Sequence, residues 1–346
     1  MGVFSSGGVS IDLGSANVTI CLENEGVVLR EPSYVLTLRD DIDEILAVGR
    51  DARQMLGRTP KDVAIASPIS GGAVGNIELA TALLRRLAEK ALGKRRALEK
   101  NRLVVTMSQG CTRVERAALE TVVRGAGAKR AALIRANVAA ALGAGVPLEE
   151  PRGSLLVCIG GETTDVSVLS MNGVAAARTI RSGSLALDEA IMRYVRREKN
   201  LIIGQRTAED LKIDLGTALR TPGMLHTTAS LRGRDALSGK PSTIDITAAD
   251  IYNAITPPLD ILVESIREAF ETIPPELAED ILPQGLYLSG GGALLEGLSD
   301  KLSETLHLSV TIGENPQDDA AVGAGIAAGN DRLAARLEQN GCLIEA

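Results

Sequence analysis

The chain has 346 residues, 45% of them apolar, and 44 acidic against 37 basic side chains, for a formal net charge of −7. That length predicts two domains of ordinary size, and the apolar content excludes wholesale disorder. The acid excess argues against nucleic acid as a main partner. A composition with no Trp, two Phe and four Tyr argues against aromatic platforms for bases, sugars or peptides.

The opening residues MGVFSSGGVSIDLG contain no cationic n-region and no long apolar h-region, so no signal peptide is expected. No run approaches about 18 apolar residues, so no membrane span is expected either. Cys21, Cys111, Cys158 and Cys342 are scattered, without metal-site or disulfide-framework spacing. A soluble, cytoplasmic protein with reduced thiols follows as the expectation.

In chain order, residues 9–20 (VSIDLGSANVTI) read as a strand, a Gly-centred turn and a second strand. Residues 85–102 carry eight Lys or Arg and two Glu. They suit a solvated helix end and loop, or a surface that meets anionic lipid. LVVTM (103–107) reads as a strand buried on both faces. Thr112-x-x-Glu115 predicts a capping box. Ala139–Gly145 predicts a small-residue helix, matched in kind by Gly323-Ala324-Gly325. Such residues let helices cross closely, either as a hinge or as plain tight packing.

Residues 155–169 (LLVCIGGETTDVSVL) repeat the strand, Gly turn and strand of the opening, which predicts a duplicated α/β domain. Thr207-x-x-Asp210 is expected to open a helix. Residues 217–246 suggest a small peripheral subdomain of strands and turns. Pro257-Pro258 is expected to start an amphipathic helix with Ile261, Val263, Ile266 and Phe270 at apolar positions. LYLS (286–289) is a further buried strand, followed by Gly290-Gly291-Gly292. The tail after Gly329 reads as helical, ending loosely at Ala346.

Four of these segments suit a nucleotide. In the turn Asp12–Asn17, Gly14 lets backbone N–H groups approach phosphate, Ser15 and Asn17 add donors, and Asp12 is suited to ordering water around Mg²⁺. A tight hairpin with an Asx turn explains the same string. Gly160–Asp165 is the equivalent loop of the second half. The Gly triplet, placed between strand and helix, lets a flat group lie on bare backbone, although such triplets are often simple turns.

The order of these elements resembles the actin, sugar-kinase and heat-shock-chaperone ATPase superfamily. More narrowly, the chain resembles the MreB/Mbl bacterial actins through VGRDARQMLGRTP, RLVVTMSQGCTRVERAALE, GGETTDVSVLS, IIGQRTAEDLKI and LYLSGGGALLEGL. The resemblance implies an actin-like α/β fold of two related RNase H-like domains with a nucleotide cleft between them. Domain I would comprise residues 1–147 plus 315–346, with a small subdomain near 32–77. Domain II would comprise 148–314, with a small subdomain near 182–245. ATP and Mg²⁺ are the implied cofactors. Phosphates would be held by Gly14, Ser15, Ala16 and Asn17 from one side and by Gly160, Gly161, Thr163 and Thr164 from the other. The adenosine would meet Lys212, Asp214, Gly290, Gly291 and Gly292. The implied partners are further copies of the chain in a filament, the inner face of the cytoplasmic membrane and the cell-wall elongation machinery. Lys94, Arg95 and Arg96 with Leu98, helped by Met1, Val3 and Phe4, are the candidate membrane contact.

The departures from the family pattern fall at the chemistry. An Asp of the second hairpin is Cys158, a Gly is Glu162, and the Glu that orients the attacking water is Ala136. The family acids of the 71–76 segment are also gone, and the Gly-Asp of the following loop is Ser184-Leu185. Glu162 either takes over the metal or repels phosphate, by roughly 3 kcal/mol at about 6 Å and an effective dielectric of about 20. These losses predict an ATP-binding filament protein with slow or absent hydrolysis. A scaffold that no longer binds nucleotide is the alternative. A sugar or carboxylate kinase is disfavoured because no acceptor base is supplied.

Overall fold

The computed structural model describes residues 8–39, 41, 44–93 and 97–346. Two mixed sheets organise it. In the first, Val9–Leu13 pairs antiparallel with Asn17–Leu22, which pairs with Gly26–Pro32; on its other side it runs parallel to Arg102–Met107, which runs parallel to Arg130–Arg135. In the second, Ser154–Ile159 takes the same central place, with Thr164–Ser170 and Gly173–Ile180 antiparallel on one side and Leu286–Ser289 and Val310–Ile312 parallel on the other. The strand order is therefore the same in both sheets, as the repeated hairpin predicts.

The first sheet has a sixth strand. Leu343–Glu345 pairs antiparallel with Arg130–Arg135, and the Ala346 N–H donates to the Ala131 carbonyl. The chain end is thus a paired sheet edge and not a loose tail. Cys342 and Leu343 are buried and anchor it.

Leu103–Met107 is buried throughout, as a strand covered on both faces must be. Two apolar clusters fill the two halves, and a third takes Val104 and Ile134 from one sheet and Leu156 and Leu169 from the other. Between the sheets lie two crossed helices, Ala136–Gly143 and Asp319–Gly329, rich in Ala and Gly. A Cβ on Gly143 would stand 2.0 Å from the Asp319 carbonyl oxygen, and one on Gly323 would stand 1.7 Å from the Ala139 carbonyl oxygen. The small-residue strings exist because the two backbones touch.

Two smaller sheets sit outside these layers. One joins Val35–Leu38 to Ile45–Val48 and Val63–Ala66; the other joins Leu201–Ile202 to the hairpin Thr228–Asp235/Pro241–Thr247. The Thr112–Glu115 capping box opens the helix Arg113–Gly125 as expected. Two other helix starts differ. The long helix is Ala248–Glu271, opened by a second capping box in which Thr247 Oγ1 accepts from the Asp250 N–H at 3.1 Å and Asp250 returns the bond. That cap sets the start, and Pro257-Pro258 lie inside the helix. Val263 and Ile266 face the core, whereas Ile261 is 67% exposed. The helix Gln205–Leu215 begins two residues before Thr207, after the N-cap Gly204, without a side-chain cap.

Candidate functional site

The turns of the two repeated hairpins face each other across a cleft. Each turn is closed the same way: the Gly14 N–H donates to the Asn17 carbonyl at 3.1 Å, and the Gly160 N–H to the Thr163 carbonyl at 2.8 Å. Ser33 Oγ pins the first by donating to the Gly14 carbonyl, and the Ser184 and Leu185 N–H groups pin the second by donating to Gly160 and Gly161. Ser184-Leu185, where the resemblance implies Gly-Asp, thus bonds to the loop through its backbone.

The cleft has two lobes, of about 390 and about 130 Å³, which share Asp12, Gly14, Ser15, Cys158, Gly160, Gly161 and Ala320 as a common wall. Ser15, Ala16 and Asn17 line the larger lobe at one end, with Lys212, Leu295 and the Gly triplet also on its wall. The triplet has two reasons to be glycine. A Cβ at Gly290 or Gly292 would strike Ile159 at 2.4 or 2.2 Å, so the turn must lie flat against the second hairpin; at Gly291 the nearest atom would be 4.0 Å away.

The smaller lobe is lined by Asp12, Thr106, Ala136, Cys158, Thr163 and Asp165 among others. Strand register explains the grouping. Asp12 stands opposite Thr19 on one neighbouring strand and accepts a 2.5 Å hydrogen bond from Thr106 Oγ1 on the other. In the second half Cys158 stands opposite Asp165 and beside Ser289. One half therefore keeps its carboxylate on the central strand, and the other keeps it one strand over. Asp165 in turn accepts from Thr179 Oγ1, and Asp319 accepts from Ser289 Oγ at 2.7 Å.

Burial dominates the electrostatics here. It pushes the Asp12 and Asp165 carboxyls up, against the opposing pull of the Thr106 and Thr179 hydroxyls, and it raises Asp319 to about 6. The Cys158 thiol is pushed up by burial and then by the charges of Asp165, Asp12 and Asp319, which leaves it protonated and unreactive.

Three expected site residues are placed elsewhere. Thr164 is buried in its strand, and its hydroxyl donates to the Ser182 carbonyl at 2.8 Å, so it offers the cleft no donor. Asp214 is exposed and lines neither lobe; Glu209 and Ile213 of the same helix line the larger one. Glu162 also lines neither lobe, because its carboxylate accepts the Gly71 N–H from the turn between Ile69–Ser70 and Ala73–Val74. That position supports neither the metal-holding nor the phosphate-repelling reading. Lys212 lines the larger lobe and is held there by Asp188 Oδ1 at 2.8 Å and by the Ser184 carbonyl at 3.2 Å. Burial raises Asp188 to about 6, against the pull of Lys212.

Two further contacts cross the mouth: Arg53 pairs with Glu209, and Tyr34 Oη lies 3.3 Å from Gln205 Oε1. Sequence reasoning missed Arg30, Thr106, Asp165, Asp188, Glu209 and Asp319. Asp188 carried a signal, since it falls among the buried apolar positions Leu187, Ala190 and Ile191 of its helix. Of the candidate membrane contact, Met1, Val3, Phe4, Lys94, Arg95 and Arg96 lie outside the described residues. Leu98 is only 2% exposed and packs in the first core, so it is not a membrane anchor.

Two sheets of equal strand order, joined by crossed small-residue helices with a loop-lined cleft between them, define an actin-like fold. The family description "MreB/Mbl protein" matches residues 6–335. The chain belongs to this family, whose curated relatives are cell shape-determining, actin-like proteins. It is 37% identical over 329 residues to the cell shape-determining protein Mbl of Bacillus subtilis, covering 95% of this chain and 98% of that one. To the cell shape-determining protein MreB of Escherichia coli K12 it is 39% identical over 327 residues, covering 94% and 93%. Among solved structures, MreB5 of Spiroplasma citri bound to AMPPNP superposes with a TM-score of 0.88 at 29% identity, covering 98% of this chain and all of that one. The MamK double helical filament gives 0.74 at 20% identity, covering 93% and 98%, which speaks to the fold alone.

Proposed function

We propose that this chain binds ATP with Mg²⁺ in the cleft, assembles into filaments at the inner face of the cytoplasmic membrane that guide cell-wall synthesis, and hydrolyses ATP slowly or not at all. The observation that carries this reading is the convergence of both hairpin turns and the Gly triplet on one cleft, whose larger lobe is about 390 Å³. A volume of that order suits a nucleotide. Relatives solved with AMPPNP and with ADP share the fold over nearly the whole chain. The phosphates would be held by Gly14 to Asn17 and by Gly160, Gly161 and Thr163, and the adenosine by Lys212, Glu209 and the Gly triplet.

The metal question turns on donor chemistry. Among the described residues no cluster of three or more His, Cys, Asp or Glu is placed to hold a metal alone. A cation bound jointly with phosphate oxygens and water needs only one or two carboxylates. Asp12 and Asp165 fit that need, since both line the smaller lobe, and a cation there would favour the ionised forms that burial disfavours. Mg²⁺ held there would neutralise phosphate charge.

Slow hydrolysis is supported by Ala136, which lines the smaller lobe with a methyl group where the resemblance implies a Glu; of the described carboxylates lining that lobe, Asp12 accepts from Thr106, Asp165 from Thr179 and Glu115 from the Thr112 N–H. Filament assembly is supported by family membership, since subunits repeating head to tail generate open filaments. Among the described residues no helix is long and apolar enough to cross a membrane, so the proposed attachment is peripheral, through the Lys94–Arg96 charges. Each such charge contributes about 1 kcal/mol at an anionic surface. Flotation with anionic vesicles should carry the protein upward, and a variant with these three charges removed should stay down. Equal flotation of both proteins rules this contact out.

Calorimetric titration with ATP and Mg²⁺, followed by high-speed pelleting and electron microscopy, tests the main reading. Saturable binding and strands above a critical concentration are expected. The contacts of Glu162 and Arg53 across the mouth favour one second reading, a scaffold that closes without nucleotide; it predicts strands with no heat of binding.

A further inference from the structure

We propose that Arg30 is a phosphate-binding residue of the cleft, held by Asp318 until a nucleotide's phosphates take its place. The proposal rests on the nucleotide reading above and adds to it a residue that the two hairpin turns do not supply. Among the described residues lining the two lobes, Arg30 and Lys212 alone are cationic. Lys212 is committed to Asp188 and the Ser184 carbonyl. Arg30 stands elsewhere on the wall. Its strand, Gly26–Pro32, places it opposite Thr19, and Thr19 stands opposite Asp12, so the three share one row across the sheet. All three line the larger lobe, together with Ser15 and Asn17 of the first hairpin turn. The guanidinium therefore enters the lobe beside the turn whose backbone N–H groups suit phosphate.

Its present partner points the same way. Nε donates to Asp318 Oδ1 at 3.0 Å, and Nη2 donates to Oδ2 of the same carboxylate. A planar fork that binds one carboxylate through two parallel bonds fits two oxygens of a phosphate equally well. Nη1 makes no hydrogen bond among the described residues, and the Arg30 side chain is 34% exposed, so the fork can reach the lobe without unpacking a core. The demand for such a cation is clear. Asp12, Glu209 and Glu296 line the same lobe, and Asp318 and Asp319 lie beside it. With Cys158 where relatives place an acid, one metal-organising carboxylate is missing. Arg30 supplies counter-charge that a better-held cation would otherwise bring, so ATP affinity should depend only weakly on Mg²⁺.

The test uses the full chain, titrated with ATP, ADP and adenosine, each in Mg²⁺ and in EDTA. Asp318→Asn removes the competing carboxylate and should tighten ATP binding by about tenfold, the size of a charge-assisted hydrogen bond. The double variant Arg30→Met, Asp318→Asn leaves no buried unpaired charge. It should bind ATP about tenfold or more weakly than the natural chain, bind adenosine unchanged, and become sensitive to EDTA. An ATP affinity within twofold of the natural chain in both variants overturns the proposal. So does an equal loss for ATP and adenosine, which marks a merely structural role. If the natural chain binds neither ATP nor adenosine, the nucleotide reading itself fails, and the role of Arg30 falls with it.

Discussion

A chain carrying Ala136→Glu, Cys158→Asp and Glu162→Gly will release phosphate from ATP about 10²–10⁴ times faster than the natural chain, the usual contribution of a positioned acid–base group. Ala136 begins the helix that follows the strand Arg130–Arg135, at the carboxyl end of the sheet, and it lines the smaller lobe with Asp12, Thr106 and Asp165. A carboxylate grown from that position enters the space beside the two hairpin turns. The second change restores an acid on the central strand of the second sheet, in the row that already holds Asp165 and Ser289. The third removes the Glu162 bond to Gly71, which ties the second hairpin turn to the turn between Ile69–Ser70 and Ala73–Val74. Phosphate release under single-turnover conditions reads the chemical step directly. Equal rates in the natural chain and the triple variant would show that Ala136 and Cys158 do not limit hydrolysis.

Gly323→Leu will cost roughly 3 kcal/mol or more, at the upper end of overpacking effects, and much of the protein is expected to be insoluble. A Cβ there would lie 1.7 Å from the Ala139 carbonyl oxygen, and that oxygen belongs to helix backbone, which cannot rotate aside as a side chain would. The crossed helices would have to separate, and the third core cluster, which draws on both sheets, would separate with them. Gly223→Leu is the matched control: Gly223 is an exposed turn residue and a Cβ there meets nothing within 4 Å, so stability should stay within about 0.5 kcal/mol of the natural chain. Thermal denaturation of the soluble fractions measures both. A Gly323→Leu chain as stable as the control would mean that the two helices do not touch as described.

The parts of this protein legible in its sequence are those written in local chemistry. The hairpin turns, the Thr112–Glu115 cap and the Ala/Gly strings each announce themselves within a few residues, because close approach within the turns, capping hydroxyls and helix backbone contact demand particular side chains. What sequence reasoning misplaced depends on pairing between distant segments. Asp165 enters the smaller lobe because it stands opposite Cys158 in the ladder, and Arg30 reaches the cleft because it stands opposite Thr19. Glu162 sits inside a phosphate-type loop yet turns outward, because the Gly71 N–H from another subdomain offers it a bond. The start of the long helix differs for another reason: a proline pair is a stronger local signal than a Thr-x-x-Asp box, although here the box sets the start. The paired C-terminal strand was hidden because three residues, Leu343–Glu345, are too few to show a period.

The three contacts across the mouth of the cleft have a kinetic meaning. Tyr34–Gln205, Arg53–Glu209 and Gly71–Glu162 each join an element that precedes residue 80 to one that follows residue 160. A molecule behind them enters and leaves only when they part, so the side chains at positions 53, 162 and 205 would set how fast the cleft exchanges its contents. Glu209 belongs to both the gate and the wall, so a change at position 53 would alter affinity as well as rate.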